Sequence, residues 1–287
     1  MEGRSVINMS GMQYEERYVA FLDILNFRKL VEDETKTELL YNKLDAANRF
    51  PDVVKVAQNR GYDLVRKFHI LESTVISDSI VVSVSAYEPD GLKLLMQHVA
   101  ALWEAFISDQ IMLRGAITRG KAIHKNKIVL GPAVVRAYSL ESVACYARVI
   151  IDDVLMSSDK EYLESSNVLK DLDGQWVFSI VAEMLLQGTS KNGPEHAESL
   201  VKLYKFVINQ EKEVIGKPYI YKKYVQLHRH LNLAMIGLKD NEKVILEPKI
   251  LVKVPELPDG CIARYECKGC QFYTGEKRDC EKRSKST

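Results

Sequence analysis

Two aspartates in apolar surroundings are the residues of this sequence best placed to do chemistry together. Asp23 stands in the run YVAFLDILNF, which predicts a buried strand, and Asp78 stands in STVISDSIVVSVS, the second run of a later strand pair. Burying an ionised carboxylate is unfavourable by several kcal/mol unless a cation or strong donors compensate. Converging carboxylates repel each other, and a shared divalent cation or a shared proton resolves the repulsion. A cap or turn role for each aspartate is the alternative.

The elements that must position these aspartates alternate between strand-like and helix-like stretches. The pattern predicts, in order, a strand at RYVAFLDIL, a helical region over 26–60, strands at LVRKFHIL and STVISDSIVVSVS, an apolar helix over 91–110, a strand pair over 111–131 that turns at His124–Asn126, a helix that Gly131-Pro132 opens, and a strand at RVIIDDVLM. This β-α-β-β-α-β order predicts an α+β fold of the ferredoxin-like kind, with helices on one side of a sheet. In that unit the first strand neighbours the turn between the second and third strands, so Asp23 and Asp78 are expected to meet.

Composition excludes several classes of function. The 287 residues are 46% apolar and carry a formal net charge of +1, which argues against a broad nucleic-acid-binding surface. The sequence has neither a membrane-spanning apolar run nor a signal peptide, so no membrane partner is expected. Of five cysteines, Cys145 stands alone and the others cluster near the end. This distribution favours a reduced, cytoplasmic setting over a disulfide scaffold.

Four segments, FLDILNF, ISDSIVVSV, LRGAITRGKAI and GPAVVRAYSLE, occur in this order over roughly residues 17–152. They resemble the class III nucleotidyl cyclase family, and as a set they are most similar to the bacterial Pycsar antiphage pyrimidine cyclases. The resemblance covers about half the chain. It implies a cyclase catalytic domain over residues 14–158. Helical periodicity in GPEHAESLVKLYKFVINQEKEVI and YIYKKYVQLHRHLNLAMIG predicts that 159–287 form a partly helical dimerisation extension with a Cys-rich tail.

The activity that this resemblance implies is the conversion of UTP or CTP, with a slight preference for UTP, into the 3′,5′-cyclic nucleotide and pyrophosphate. Two Mn²⁺ or Mg²⁺ ions per site would assist attack of the 3′-hydroxyl on the α-phosphate. The sites would lie at the interface of a homodimer. The product would be a second messenger for antiphage defence, and the chain would act on a separate effector protein only through it.

The resemblance also assigns roles to individual residues. Asp23, Asp78 and the backbone carbonyl of Ile24 would bind the metal ions. The triphosphate would contact the start of a helix, where backbone amides favour anions, and an arginine whose planar guanidinium suits phosphate. These contacts are Leu25, Asn26, Phe27 and Arg114. Thr74, four residues before Asp78, stands where purine cyclases read the base with Lys or Glu, and its short hydroxyl fits a pyrimidine.

One departure from the family concerns the transition state. Purine cyclases carry an Asn and, four residues later, an Arg on the later helix, whereas this sequence has Val135 and Ser139 there. Arg136, or alternatively Arg148, is the candidate replacement, and Arg136 joins the two aspartates as a predicted catalytic residue. The missing pair leaves open a second function, a cyclase-fold nucleotide-binding or regulatory protein that is weakly active or inactive. A diguanylate cyclase is disfavoured because no GGDEF-type turn occurs.

The cysteines of the tail form a separate candidate site. Cys267 and Cys270 make a C-x-x-C motif, and four thiolates can hold a tetrahedral Zn²⁺. The set is Cys261, Cys267, Cys270 and Cys280. Free thiols or an incidental disulfide are the alternatives, and a zinc ion here would be structural.

Overall fold

A mixed sheet with helices on both faces forms the core of the computed structural model, which describes residues 13–59, 70–183 and 193–239. The strands are β1 (Glu15–Ile24), β2 (Glu72–Ile76), β3 (Ser79–Ser85), β4 (Leu113–Lys125), β5 (Ile128–Leu130), β6 (Val149–Ile151), β7 (Val168–Lys170) and β8 (Trp176–Phe178). The helices are α1 (Phe27–Val31), α2 (Thr37–Asn59), α3 (Gly91–Ile107), α4 (Pro132–Val143), α5 (Asp153–Ser158), α6 (Lys160–Glu164), α7 (Gly193–Glu213) and α8 (Pro218–Lys239). No described helix is long and apolar enough to cross a membrane.

The strand order confirms the predicted α+β, ferredoxin-like architecture. The sheet runs β2-β3-β1-β4-β6-β8-β7, and β5 pairs with β4 outside this path. β1 lies between β3 and β4 and is antiparallel to both, while β4 and β6 are parallel. Helices α2 and α3 connect β1 to β2 and β3 to β4, as the β-α-β-β-α-β pattern requires.

Alternation along β1 explains why it is central. Ala20 and Leu22 face the large core beneath α2 and α3, whereas Val19 and Phe21 face the other side. Ala133 and Ala137 of α4 pack on that other side. The prediction of helices on one side only is therefore wrong, because the apolar residues on both faces of β1 each require cover.

Several predicted boundaries differ in the structure. The run STVISDSIVVSVS holds β2 and β3 joined by the turn Ser77-Asp78, rather than a single strand. Most of LVRKFHIL lies outside the described residues, and its last two residues are not in a strand. In RVIIDDVLM the strand stops at Ile151, because Asp152 accepts a hydrogen bond from Val154 N–H (3.3 Å) and caps α5.

The C-terminal described residues extend the same sheet and core. β7 and β8 continue the sheet beyond β6. Leu203 of α7 and Leu227 of α8 belong to the same buried cluster as Phe106 of α3. The two-domain division at residue 158 remains a prediction.

Candidate active site

The end of β1 meets the β2–β3 turn, and this contact brings two aspartates together. In the antiparallel register of β1 and β3, Asp23 lies opposite Ser79. The Ile24 N–H donates to the Asp78 backbone carbonyl at 3.1 Å. Ser77, the first residue of the two-residue turn, has a left-handed backbone with φ 57°. The Asp78 side chain thereby lies within hydrogen-bonding reach of the Asp23 carboxyl group.

The electrostatics of Asp23 reflect this crowding. Burial raises its pKa, the Arg114 guanidinium opposes that effect, and the adjacent Asp78 raises it again. The net pKa of Asp23 lies above its ordinary value. Arg114 therefore does not fully offset the effects of burial and of Asp78 on the Asp23 carboxyl group.

Arg114 supplies the positive charge at this cluster. It lies opposite Asp23 in the β1–β4 register, and its Nε and Nη2 atoms are both 3.1 Å from Asp23 Oδ2. The next residue, Gly115, allows β4 to approach β1 closely. A Cβ there would lie 2.4 Å from the Phe21 carbonyl oxygen, so only glycine fits.

Glu141 is a third carboxylate at the cluster, and the sequence reasoning missed it. Its Oε1 lies 2.5 Å from Arg114 Nε, without hydrogen-bond geometry, and its side chain is only 4% exposed. Burial raises its pKa to about 7, Arg114 opposes this, and the two aspartates add to it. A signal existed in the sequence, because Glu141 continues the four-residue spacing of Ala133 and Ala137, the buried stripe of α4.

The donor set suits a hard divalent cation. Carboxylate oxygens of Asp23 and Asp78, with the nearby backbone carbonyl of Ile24, are the ligand type that Mg²⁺ and Mn²⁺ prefer. Among the described residues, no cluster of three or more His, Cys, Asp or Glu side chains is arranged as a metal site. A cation bound by two carboxylates would complete its shell with substrate oxygens and water.

The predicted triphosphate contacts after β1 are only partly available. The Leu25 N–H donates to the Met112 carbonyl at 2.9 Å, so this amide already has a partner within the chain. Asn26 is exposed and left-handed, with φ 61°, and precedes α1. No turn or loop backbone hydrogen bond among the described residues uses the amides of Asn26 or Phe27. Their role remains a prediction.

Thr74 is buried in a polar network and has no described hydrogen bond to the aspartate pair. Its Oγ1 is 2.9 Å from His124 Nε2, and His124 Nδ1 is 2.8 Å from Ser83 Oγ. Arg17 Nε donates to Ser83 Oγ at 2.9 Å. Burial, with smaller effects from Arg17 and Lys127, lowers the pKa of His124 to about 3. The Thr74 hydroxyl therefore already has His124 as a partner, and base reading by Thr74 remains a prediction.

Arg136 is paired elsewhere in the described chain. It forms a two-point ion pair with Asp152, with Nη2 2.7 Å from Oδ1, and Thr118 donates to the same carboxylate. Asp152 is 2% exposed and needs this compensation. Thr118 is four residues along β4 from Arg114, or about 13 Å of strand. Arg136 therefore lies away from the aspartate pair of its own chain, and its catalytic role at a site shared by two protomers remains a prediction.

The structure also places the other residues considered for stabilising the transition state. Val135 and Ser139 are exposed on α4. Arg148 is buried and donates to Asp171 at 2.6 Å and to Asp173. Within the described ranges, Arg114 is the one arginine that forms an ion pair with the aspartate pair.

One further metal site, the zinc site of the tail, is predicted from the sequence. The zinc candidates Cys261, Cys267, Cys270 and Cys280 lie outside the described residues, so that site remains a prediction. His228 and His230, two apart on α8, have separate partners. His228 Nδ1 is 2.9 Å from Glu211 Oε1, and His230 Nε2 is 2.9 Å from the Tyr146 hydroxyl.

Comparison with known proteins gives structural likeness only. No protein-family model matches the chain, and no curated protein matches it. Solved structures that it resembles include the adenylyl cyclase CyaB from P. aeruginosa, with 15% identity, a TM-score of 0.35 and coverage of 55% of this chain and 84% of that one. The catalytic core of a rhodopsin-guanylyl cyclase with converted specificity shares 20% identity at a TM-score of 0.39, with coverage of 57% and 95%. The guanylyl cyclase Cya2 shares 14% identity at a TM-score of 0.37, with coverage of 51% and 79%. At these values the likenesses carry no functional argument, and the fold class rests on the strand order.

Proposed function

We propose that this chain is a nucleotidyl cyclase that converts UTP or CTP into a 3′,5′-cyclic nucleotide and pyrophosphate. The observation that carries the proposal is the meeting of Asp23 and Asp78 at the end of β1, with Arg114 across from them. Two adjacent carboxylates and one guanidinium match the needs of phosphoryl transfer, which depends on positioning and charge stabilisation.

Asp23 and Asp78, with the Ile24 carbonyl, would hold Mg²⁺ or Mn²⁺ ions. When bound, such a cation lowers the pKa of a ribose hydroxyl and neutralises charge on the phosphates. Asp23 would then need no compensation from Arg114, whose guanidinium would turn to the phosphate oxygens. Glu141, 2.5 Å from Arg114 Nε, would keep the guanidinium at the site during that change of partner.

The remaining features of the proposal concern substrate and assembly. A pyrimidine substrate is proposed because the family resemblance assigns base reading to Thr74, whose short hydroxyl suits a small ring. A homodimer with sites at its interface is supported by exposed apolar side chains on α4 and β5, namely Val135, Tyr138 and Ile128 at 64%, 56% and 60% exposure. The cyclic product would serve as a messenger in antiphage defence.

A second candidate is a nucleotide-binding regulatory protein without turnover. The specific observation in its favour is that the transition-state positions hold Val135 and Ser139, while Arg136 is paired with Asp152. Such a protein would bind a nucleoside triphosphate at the aspartate pair and release no pyrophosphate.

Incubation of the purified protein with each of the four nucleoside triphosphates and Mn²⁺, followed by mass spectrometry, tests these proposals. Cyclic UMP or cyclic CMP is expected as the main product. Asp78→Asn should abolish it, and Asp153→Asn, which neutralises an exposed aspartate at the start of α5, should not. Cyclic AMP or cyclic GMP as the main product would overturn the pyrimidine assignment. Nucleotide binding with no product would favour the regulatory protein.

A further inference from the structure

A cavity of about 90 Å³ lies between the segment before β6, the β7–β8 turn and the first two turns of α8. Its walls include Tyr146, Arg148, Leu172, Tyr219, Lys222 and Lys223. It shares no lining residue with the cluster of Asp23, Asp78, Arg114 and Glu141. The proposed cyclase chemistry therefore gives it no role.

A buried network of ion pairs around Arg148 forms the inner wall of the cavity. The Arg148 side chain is 1% exposed and donates to Asp171 Oδ2 at 2.6 Å and to Asp173. Asp171 also accepts from the Tyr146 hydroxyl and, at 2.9 Å, from Arg229 Nη1. Both carboxylates are thus already occupied by cationic or hydroxyl donors. The inner wall is pre-formed and presents little uncompensated negative charge to a ligand.

The outer wall combines cations with flat and apolar surfaces. Lys222 and Lys223 lie on α8, and Lys223 Nζ sits 4.7 Å from the centre of the Tyr219 ring. Tyr219 and Leu172 are 53% and 70% exposed. One buried donor, Nε of Arg148, has no hydrogen-bond partner among the described residues. Arg148 also lines a cavity of about 20 Å³, which has room for roughly one water molecule.

We propose that the larger cavity binds a small organic anion with one flat ring, the chemistry of a pyrimidine nucleoside monophosphate. The ring would pack against Tyr219 and Leu172, and the acidic group would lie at Lys222 and Lys223. The cavity has room for about six water molecules, which is the size of one ring, so the ribose and phosphate would lie outside it beside Lys222 and Lys223. A phosphate group suits ammonium donors, and the aromatic wall suits a planar ring.

The position of this site connects it to the candidate active site through the backbone. The Arg148 carbonyl accepts a hydrogen bond from Gly115 N–H at 2.9 Å, and Gly115 directly follows Arg114 on β4. A ligand that shifts Arg148 would therefore act on the strand that carries Arg114. The proposal of a binding site does not depend on the cyclase proposal.

Isothermal titration of the full chain with UMP, uridine and inorganic phosphate tests the site. Divalent cations are left out so that nucleotide does not bind through metal at the aspartate pair. UMP should bind, and uridine and phosphate should each bind more weakly. Lys222→Gln combined with Lys223→Gln should weaken UMP binding about 10- to 100-fold, because charge-assisted hydrogen bonds are lost.

Matched variants distinguish binding in this cavity from binding elsewhere on the chain. Lys205→Gln with Lys212→Gln makes the same charge change at exposed positions of α7 that do not line the cavity, and should leave UMP binding unchanged. Tyr219→Ala should weaken UMP binding, and Tyr219→Phe should restore it. Absence of UMP binding to the unmodified chain would overturn the proposal. UMP binding that is weakened by Arg114→Ala but not by the Lys222 and Lys223 variant would also overturn it. If phosphate bound as tightly as UMP, the proposed contact with a ring would be refuted.

Discussion

Replacing Glu141 by Gln is predicted to stabilise the folded protein at alkaline pH. In the folded chain the pKa of Glu141 is raised from its ordinary 4.5 to about 7, first by burial and then by Asp23 and Asp78, against the opposing effect of Arg114. The folded state therefore holds this proton more tightly than the unfolded state does. The contribution of Glu141 to stability is highest below pH 4.5, falls as the pH rises from 4.5 to 7, and is level above that window.

The magnitude follows from the difference between the two pKa values. At about 1.4 kcal/mol for each tenfold change in acidity, ionised Glu141 lowers the free energy of unfolding by about 3 kcal/mol at pH 8. No large discount for solvent is needed, because the side chain is only 4% exposed. Gln has the shape of the protonated form and cannot ionise, so Glu141→Gln should recover most of this loss. The price of that gain is a weaker hold on Arg114 and lower nucleotide turnover.

Urea denaturation followed by circular dichroism at pH 5 and pH 8 measures this effect. Glu141→Gln should exceed the unmodified protein by about 3 kcal/mol at pH 8 and by about 1 kcal/mol or less at pH 5. Glu164→Gln, at a side chain that is 60% exposed, should change stability by less than about 0.5 kcal/mol at either pH. A gain that is the same at both pH values, or no gain at all, would refute the reasoning.

Three further predictions concern the strands and helices around the site. Gly115→Ala should lower the free energy of unfolding by about 1–3 kcal/mol in urea denaturation, because its Cβ would overlap the β1 backbone; an unchanged midpoint would contradict the close approach. Arg148→Met should lower the free energy of unfolding by about 3–5 kcal/mol, because it leaves the buried Asp171 without its main cation. Arg229→Met, at a side chain that is 32% exposed, should lower it by only about 1 kcal/mol, and equal losses would count against the buried network. Burial lowers the pKa of His98 from 6.5 to about 4, so the unfolded chain takes up its proton first and stability should fall by about 2 kcal/mol between pH 7 and pH 5; His98→Phe should remove that part of the pH dependence, measured by denaturation at both pH values.

Much of the fold could be predicted because its strands and helices have local signals in the sequence. The apolar run that contains Asp23 predicts the central strand, and the pair Gly131-Pro132 predicts the start of α4, where proline occupies the first helical position. The order of elements then restricts the topology to the observed β-α-β-β-α-β unit. The turn at Asp78 was harder to predict, because β2 and β3 are both rich in β-branched residues and read as one continuous strand.

The partners of individual side chains could not be predicted from the sequence. Arg136 has the right charge for a transition state, yet Asp152, sixteen residues later, holds it. Glu141 lies beside Arg114 only because α4 crosses the face of β4.

Sequence by itself determined which stretches become strands and helices and which faces they bury, because the spacing of apolar residues is a local property. Tertiary structure alone decided the composition of the charged cluster, and with it the raised pKa of Glu141. The physical reason is that the energy of a charge depends on burial and on neighbours within a few ångströms, and those neighbours come from strands and helices far apart along the chain.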